Sequence, residues 1–429
     1  MSSYDIKQQL HDGGATVTFD APCAAPVSFP LAGAADYPRA SVPVATLLSF
    51  ASFGSPASWR VPSPPSILDV GDIRYVTSGR IAIALALRQM GVGPGSKVLV
   101  PAYHCASMVE PVIWAGATPV FYHINADTSV NLADLRRRID ASCRVVMATN
   151  YFGFPQNLSA IRALCDANGL QLLEDCAHSF LGQHQGKPLG SWGDYAIASS
   201  MKFYPIYEGG CLVSARHSLA SIELRSAGFG FESKSAVNAL EDGFAYQRLG
   251  LLRALLWLPM QLQSLLWQQI KRRRGADAPA LSPGSSDGGF GLDPAWMDKR
   301  SSLFSRLMLK LVSRRRMGAL RRRNYLRLQQ ALLGLPGCRP LFERLPDTVY
   351  PWVFPLLTDD PQRLFRTLKM AGVPIIRFGE YLWPGVDCAH SHELSRRVLQ
   401  FPCHQELRAS EIDWMIAHIK QALTAEPTP

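Results

Sequence analysis

Between Asp72 and Glu174 the chain alternates short apolar runs with longer stretches in which apolar residues recur at three- and four-residue spacing. Residues 73–77 (Ile-Arg-Tyr-Val-Thr) read as a strand and Arg80 to Met90 as a helix. The alternation continues with strand Lys97 to Val100 and helix His104 to Trp114, strand Thr118 to Tyr122 and helix Leu132 to Ile139, strand Arg144 to Thr149 and helix Leu158 to Asn168, and strand Leu170 to Glu174. Short strands separated by helices of about ten residues predict an α/β fold with a mostly parallel sheet and helices on both faces. Such a sheet holds its ligand at the carboxyl ends of the strands, so chemistry is expected in the residues that follow each strand.

After Ser214 the pattern changes. Arg248 to Ile270 is rich in Leu and Trp but broken by Arg253, Pro259 and several Gln, and it runs into Lys271 to Arg274 and a Gly/Ser/Asp/Pro-rich loop from Gly275 to Gly291. Ser302 to Leu333 has helical spacing again. From Pro340 a smaller α/β unit is expected: strand Tyr350 to Leu357, helix Pro361 to Ala371, strand Val373 to Arg377, and a closing helix Ser410 to Ala425 with Ser410 as N-cap and Glu411 in its first turn. The reading is an N-terminal arm over residues 1–70, a large domain over 71–247, a basic helical insertion and linking helix over 248–333, and a small C-terminal domain over 334–429.

Composition changes this picture little. With 429 residues, 47% hydrophobic and 18% charged, the chain can bury a sizeable core. Nine cysteines without a Cys-x-x-Cys pair indicate neither a disulfide framework nor a zinc site, and a reducing cytoplasm fits them. The first residues lack the apolar core of a signal peptide, and no uninterrupted apolar run of about 18 residues occurs.

The formal charge of +10 is local: Arg248 to Arg327 carries 17 Lys and Arg against 4 Asp, a net of +13 that leaves the remainder at −3. No recognition motif accompanies that charge, so nucleic acid is not the expected partner. Residues 248–274 can form an amphipathic helix in peripheral contact with a membrane, or a helix packed across a dimer or over the active site, while the arginines can also attract a polyanionic substrate.

The candidate chemistry follows the strands. Asp175 stands at the end of one apolar run and Lys202 just after another, Tyr-Ala-Ile-Ala-Ser-Ser-Met-Lys (195 to 202). A lysine can form an imine with the aldehyde of pyridoxal 5'-phosphate, and an acid can keep the pyridine nitrogen protonated so that the ring withdraws electrons. Ser78-Gly79-Arg80 opens a helix where backbone N–H groups favour a phosphate, although Ser-Gly before a helix is also a plain cap. Ser199 can donate to the same phosphate. His178 can reach the cofactor ring, or can be a helix-start histidine bonded to backbone.

These motifs, with Tyr-Val-Thr-Ser-Gly-Arg-Ile-Ala-Ile (75 to 83), Tyr-Phe-Gly-Phe-Pro (151 to 155), Leu-Leu-Glu-Asp-Cys-Ala-His (172 to 178) and Gly-Ser-Trp-Gly-Asp (190 to 194), resemble the DegT/StrS-type nucleotide-sugar aminotransferases. The resemblance implies the fold type I of pyridoxal-phosphate enzymes. It implies that Lys202 carries the cofactor and moves protons, that Asp175 pairs with the pyridinium, that His178 lies beside the ring, and that Gly79, Arg80 and Ser199 hold the phosphate. It further implies a homodimer moving an amino group from an amino acid, expected to be glutamate, to a keto sugar on a nucleotide, for polysaccharide or secondary-metabolite synthesis.

Three positions depart from the family pattern. Ser199-Ser-Met-Lys202 is two residues shorter than the usual serine-to-lysine spacing, Arg80 replaces the usual Thr, and Cys105 stands where an aromatic stacks on the ring, so either Tyr103 or His104 takes that role or the ring is held differently. Rival readings are dehydration or decarboxylation on the same cofactor, and a non-catalytic relative at a membrane surface.

Overall fold

The central sheet is built from the strands that the alternation marks out. The computed structural model describes residues 27–28, 37–54, 62–256 and 291–425. Strands β1 (Asp72–Val76), β2 (Lys97–Pro101), β3 (Thr118–Tyr122), β4 (Cys143–Thr149), β5 (Gln171–Asp175), β6 (Tyr195–Ala198) and β7 (Gly210–Ser214) form one sheet in the order β1-β7-β6-β5-β4-β2-β3. Only β7 is antiparallel to its neighbours; the other six strands run in one direction.

Helices α1 (Gly79–Gln89), α2 (Ala106–Trp114), α3 (Leu132–Arg137) and α4 (Leu158–Ala167) form the connections. α1 is apolar around most of its circumference, so Arg80 to Leu87 are all buried. Because these strands run in one direction, the carboxyl ends of β1, β2, β4, β5 and β6 come to one edge.

Helix α5 (Phe229–Ala245) is followed by helical residues 250–256; residues 257–290, including the amphipathic pattern beyond Leu256, lie outside the described residues. The chain returns through α6 (Leu303–Leu311) and α7 (Arg314–Leu332). The single helical stretch expected over 302–333 is thus two helices. Ser313 makes the break, its hydroxyl accepting from the Arg316 N–H at 3.2 Å to cap α7 while its own N–H is held by the Ser52 carbonyl at 3.1 Å.

α7 joins two cores. Met317 packs beneath the sheet with Phe180, Phe203 and Tyr204, whereas Tyr325, Leu328 and Leu332 pack in the C-terminal unit. That unit contains β8 (Cys338–Pro340), β9 (Val353–Thr358), α8 (Pro361–Met370), α9 (Ala389–Arg397), β10 (Val398–Pro402) and α10 (Ala409–Thr424). The sheet order is β8-β9-β10, all antiparallel.

Two sequence expectations are corrected here. Residues 373–377 are not a strand: Pro374 has no N–H to give a ladder, and only Ile376 bridges to Gln400. The cap of α10 is Arg408 rather than Ser410, because the Glu411 carboxylate accepts from the Arg408 N–H at 2.8 Å and from the Arg248 guanidinium at 2.6 Å. No helix among the described residues is long and apolar enough to cross a membrane.

Candidate active site

The site is assembled from strand ends. β1 leads through Thr77 to Ser78, whose hydroxyl accepts from the Ile81 N–H at 3.2 Å and so caps α1. The plain-cap function of Ser78 is therefore present together with its place on the cavity wall. The glycine that the turn requires most is Gly210 on β7, opposite Val76: a Cβ there would stand 2.5 Å from the Ser78 carbonyl carbon and 2.7 Å from the Gly79 nitrogen. At Gly79 itself the nearest atom to an added Cβ is Ser199 Cβ at 3.6 Å, ordinary contact.

β5 and β6 are parallel neighbours in register Asp175 to Ile197, so Asp175 and the residues after Ala198 emerge side by side. One Asp175 oxygen accepts from the Ala177 N–H at 2.9 Å and the other from the Thr149 hydroxyl at 3.3 Å. Burial raises the Asp175 carboxyl, against those hydrogen bonds and the nearby Lys202 charge. After β6 a single 3-10 turn, Ser200–Lys202, carries the lysine. Burial holds the Lys202 amine below the ordinary lysine range, while Cys105 and Asp175 pull the other way.

Ser78, Gly79, Arg80, Cys105 and Ser199 line one cavity of about 540 Å³ with Asp175, His178 and Lys202. The shortened serine-to-lysine segment therefore still delivers its amine to the same space as the acid. Tyr103 and His104 do not line this cavity, which corrects the expectation that one of them stacks on the ring. Tyr103 is buried and donates its hydroxyl to the Phe378 carbonyl at 2.9 Å; His104 stacks on Phe121 at 4.7 Å and accepts from the Trp383 N–H at 3.0 Å. Both rings are fixed in the packing behind the wall that Cys105 faces.

His178 is buried where it lines the cavity and packs against aromatic rings. It stacks on Trp352 at 4.1 Å, meets Phe378 edge-on at 4.6 Å, and its Nδ1 accepts from the Phe152 N–H at 3.4 Å. Burial, with the Lys202 charge, holds it well below the ordinary histidine range, so the ring is neutral with its proton on Nε2. The enclosure is built with backbone strain: Phe152 sits at φ 58°, rare for a bulky residue, and Gly153 at φ 108° allows the Tyr350 carbonyl to come within 2.7 Å of where a Cβ would be.

Arg80 lines the cavity but has its own partners. Its Nε is 2.9 Å from Glu110 Oε2, its Nη2 donates to the Ser107 hydroxyl at 2.9 Å, and its Nη1 donates to the Gly291 carbonyl. The pairing to Glu110 offsets the charge that the sequence reading offered to a phosphate.

Two contributors escaped the sequence reading. Trp352 lines the same cavity as Asp175, with Lys202 Nζ 4.5 Å from its ring centre. Arg321, counted among the basic residues of 248–333, is completely buried behind the lysine turn. Its position in the stripe Met317, Arg321, Tyr325, Leu328, Leu332 was the available signal, since every other member is apolar and core-facing.

Residues 73–278 match the profile of the DegT/DnrJ/EryC1/StrS aminotransferase family. A GDP-perosamine synthase from Vibrio cholerae is 34% identical over 150 residues, covering 34% of this chain and 41% of that relative, so the matched stretch spans less than half of the relative's length. Among solved structures, a DegT DnrJ EryC1 StrS aminotransferase from Brucella abortus superposes with a TM-score of 0.58 at 19% identity, covering 83% of this chain and 87% of that one. The PLP form of the putative sugar aminotransferase Spr1654 from Streptococcus pneumoniae gives 0.58 at 16% identity, covering 85% and 99%. The architecture is that of these enzymes, an α/β fold with a mostly parallel central sheet.

Proposed function

We propose, from the match of residues 73–278 to the DegT/DnrJ/EryC1/StrS aminotransferase family profile, that this chain is a pyridoxal-phosphate aminotransferase. It moves an amino group from an amino acid, expected to be glutamate, to a keto sugar carried on a nucleotide. The observation that carries this reading is the meeting of the Lys202 amine and the Asp175 carboxylate on one cavity at the ends of adjacent parallel strands.

The donor set fits the cofactor. A phosphate would meet the N-terminus of α1, an eleven-residue helix, beside Ser78 and Ser199. When bound, pyridoxal phosphate supplies an electron sink for the carbanion formed at the amino-bearing carbon. Asp175 would hold a proton at the pyridine nitrogen, an interaction that favours its ionised form and opposes the effect of its burial. Lys202 would take up and return protons; an amine held below the ordinary lysine range spends more time as the free base at neutral pH. His178 is neutral and can donate one hydrogen bond without bringing a charge. Trp352 and Phe378 would keep water from that side of the site.

A homodimer in the cytoplasm serving polysaccharide or secondary-metabolite synthesis belongs to this reading. Peripheral membrane contact through 248–274 is part of the same proposal; among the described residues of that stretch, Leu251 and Leu255 are exposed. The direct test is a half-reaction. Glutamate added to the cofactor-loaded protein should bleach its visible-edge absorption and release 2-oxoglutarate, and a keto sugar nucleotide should restore it. A loaded protein that responds to no amino acid would exclude transamination.

A further inference from the structure

We infer that Arg321 is a positioning residue that fixes the turn carrying Lys202 to the wall carrying Trp352. The inference rests on the reading of Lys202 as the reactive amine. Arg321 Nη2 donates to the carbonyl of Lys202 itself at 3.1 Å and to that of Phe203 at 3.4 Å. Its Nη1 donates to the carbonyls of Trp352 at 3.0 Å and Pro351 at 3.3 Å. Nη2 also reaches the Thr46 hydroxyl at 3.0 Å, and Nε the Gln405 side chain at 2.9 Å. Gln405 in turn donates to the Phe203 carbonyl at 2.9 Å, closing a triangle around the lysine turn.

One planar group thus joins four separate segments of chain: the N-terminal region, the lysine turn, the approach to β9 and the loop before α10. Each of these hydrogen-bond partners is an uncharged oxygen. A fully buried cation without a carboxylate partner is costly, and burial brings the guanidinium down to about 10. A role in holding the fold alone would be met by an apolar side chain of this volume in the stripe between Met317 and Tyr325. A rigid fork of donors does what an apolar chain cannot, setting the Lys202 backbone and the Trp352 backbone at a fixed separation. That separation keeps the amine over the Trp352 ring at 4.5 Å, within the cavity it shares with Asp175, Cys105 and His178.

The test compares Arg321→Met and Arg321→Gln with Arg316→Met, since Arg316 pairs with Glu406 from the same helix without touching the lysine turn. In the cofactor-free full chain, the pH midpoint for reductive methylation of Lys202 is read by peptide mass, beside the melting temperature. Cofactor affinity is read by equilibrium dialysis. Freed from its turn, Lys202 would gain solvent, so both Arg321 variants should shift the midpoint upward by about one pH unit and weaken cofactor binding about tenfold or more. Arg316→Met should lower the melting temperature and move neither. Should Arg321→Met fail to fold, Arg321→Gln, which keeps amide donors, carries the comparison. Folded Arg321 variants with wild-type midpoint and affinity would overturn the inference. A wild type that binds no cofactor would instead refute the proposed function, leaving the midpoint shift as the test of positioning.

Discussion

Arg80 and Glu110 form an ion pair at the opening of α1, with Nε 2.9 Å from Oε2 and both side chains largely buried. The pair stands where a phosphate would bind, and it changes what removal of the arginine should mean. Arg80→Leu leaves Glu110 buried without its partner and should destabilise the protein by about 3–5 kcal/mol, the cost of breaking a buried pair. The double variant Arg80→Leu/Glu110→Leu should recover most of that loss. A urea-denaturation cycle on the four proteins measures the coupling. Additive losses would show that Arg80 acts independently of Glu110.

At the same corner, Gly210→Ala should displace the Ser78–Gly79 turn, because the added Cβ would meet backbone at 2.5 Å. Gly79→Ala meets only ordinary contact and should change stability by no more than about 1 kcal/mol. Thermal melts of the cofactor-free proteins check the order, with Gly210→Ala the weaker by several degrees or unfolded.

Much of this corner was legible in the sequence, for a physical reason. A parallel sheet puts the ends of its strands at one edge, so identifying β5 and β6 was enough to bring Asp175 and Lys202 together. What stayed hidden depends on contacts between distant segments. Nothing local marks Gly210 as the residue under the Ser78 turn, or Trp352 as the neighbour of His178. Cys105 replaces an expected aromatic without Tyr103 or His104 moving into the space, because both rings are held by partners from the C-terminal unit or the sheet. Arg321 is hidden for another reason: its place in a basic run suggests a solvated charge, whereas burial follows the helical face.

Asp175→Asn separates stability from function. Burial raises the Asp175 carboxyl, so ionised Asp175 burdens the cofactor-free protein at neutral pH, and its contribution to stability is present below the ordinary aspartate range and is lost as pH rises. The variant should melt at or above the wild-type temperature without cofactor, by something on the order of 1 kcal/mol. With cofactor added the order should reverse, since an amide cannot hold the pyridinium proton. Differential scanning calorimetry with and without pyridoxal phosphate reads both.

Acid should destabilise the fold through its buried histidines. Burial depresses His404 to about 3 and His104 to about 4, and places His178 well below the ordinary range. Each therefore contributes stability that is complete above about pH 6.5 and is lost as pH falls toward its folded value, at up to about 1.4 kcal/mol per pH unit. Asp175, Glu174 and Glu208, all raised by burial, oppose this loss. The comparison of wild type with His404→Asn isolates one histidine: between pH 6.5 and 4 the variant should lose stability less steeply by about that slope. Equal slopes would mean that His404 takes up a proton in the folded protein.

The central claim is that Lys202 carries the cofactor. Incubating the full chain with pyridoxal phosphate, reducing with borohydride and mapping the modified peptide tests it most directly. The account predicts one stoichiometric adduct, on Lys202, absent from Lys202→Ala even though that variant remains folded. An adduct confined to another lysine, or none, would contradict it.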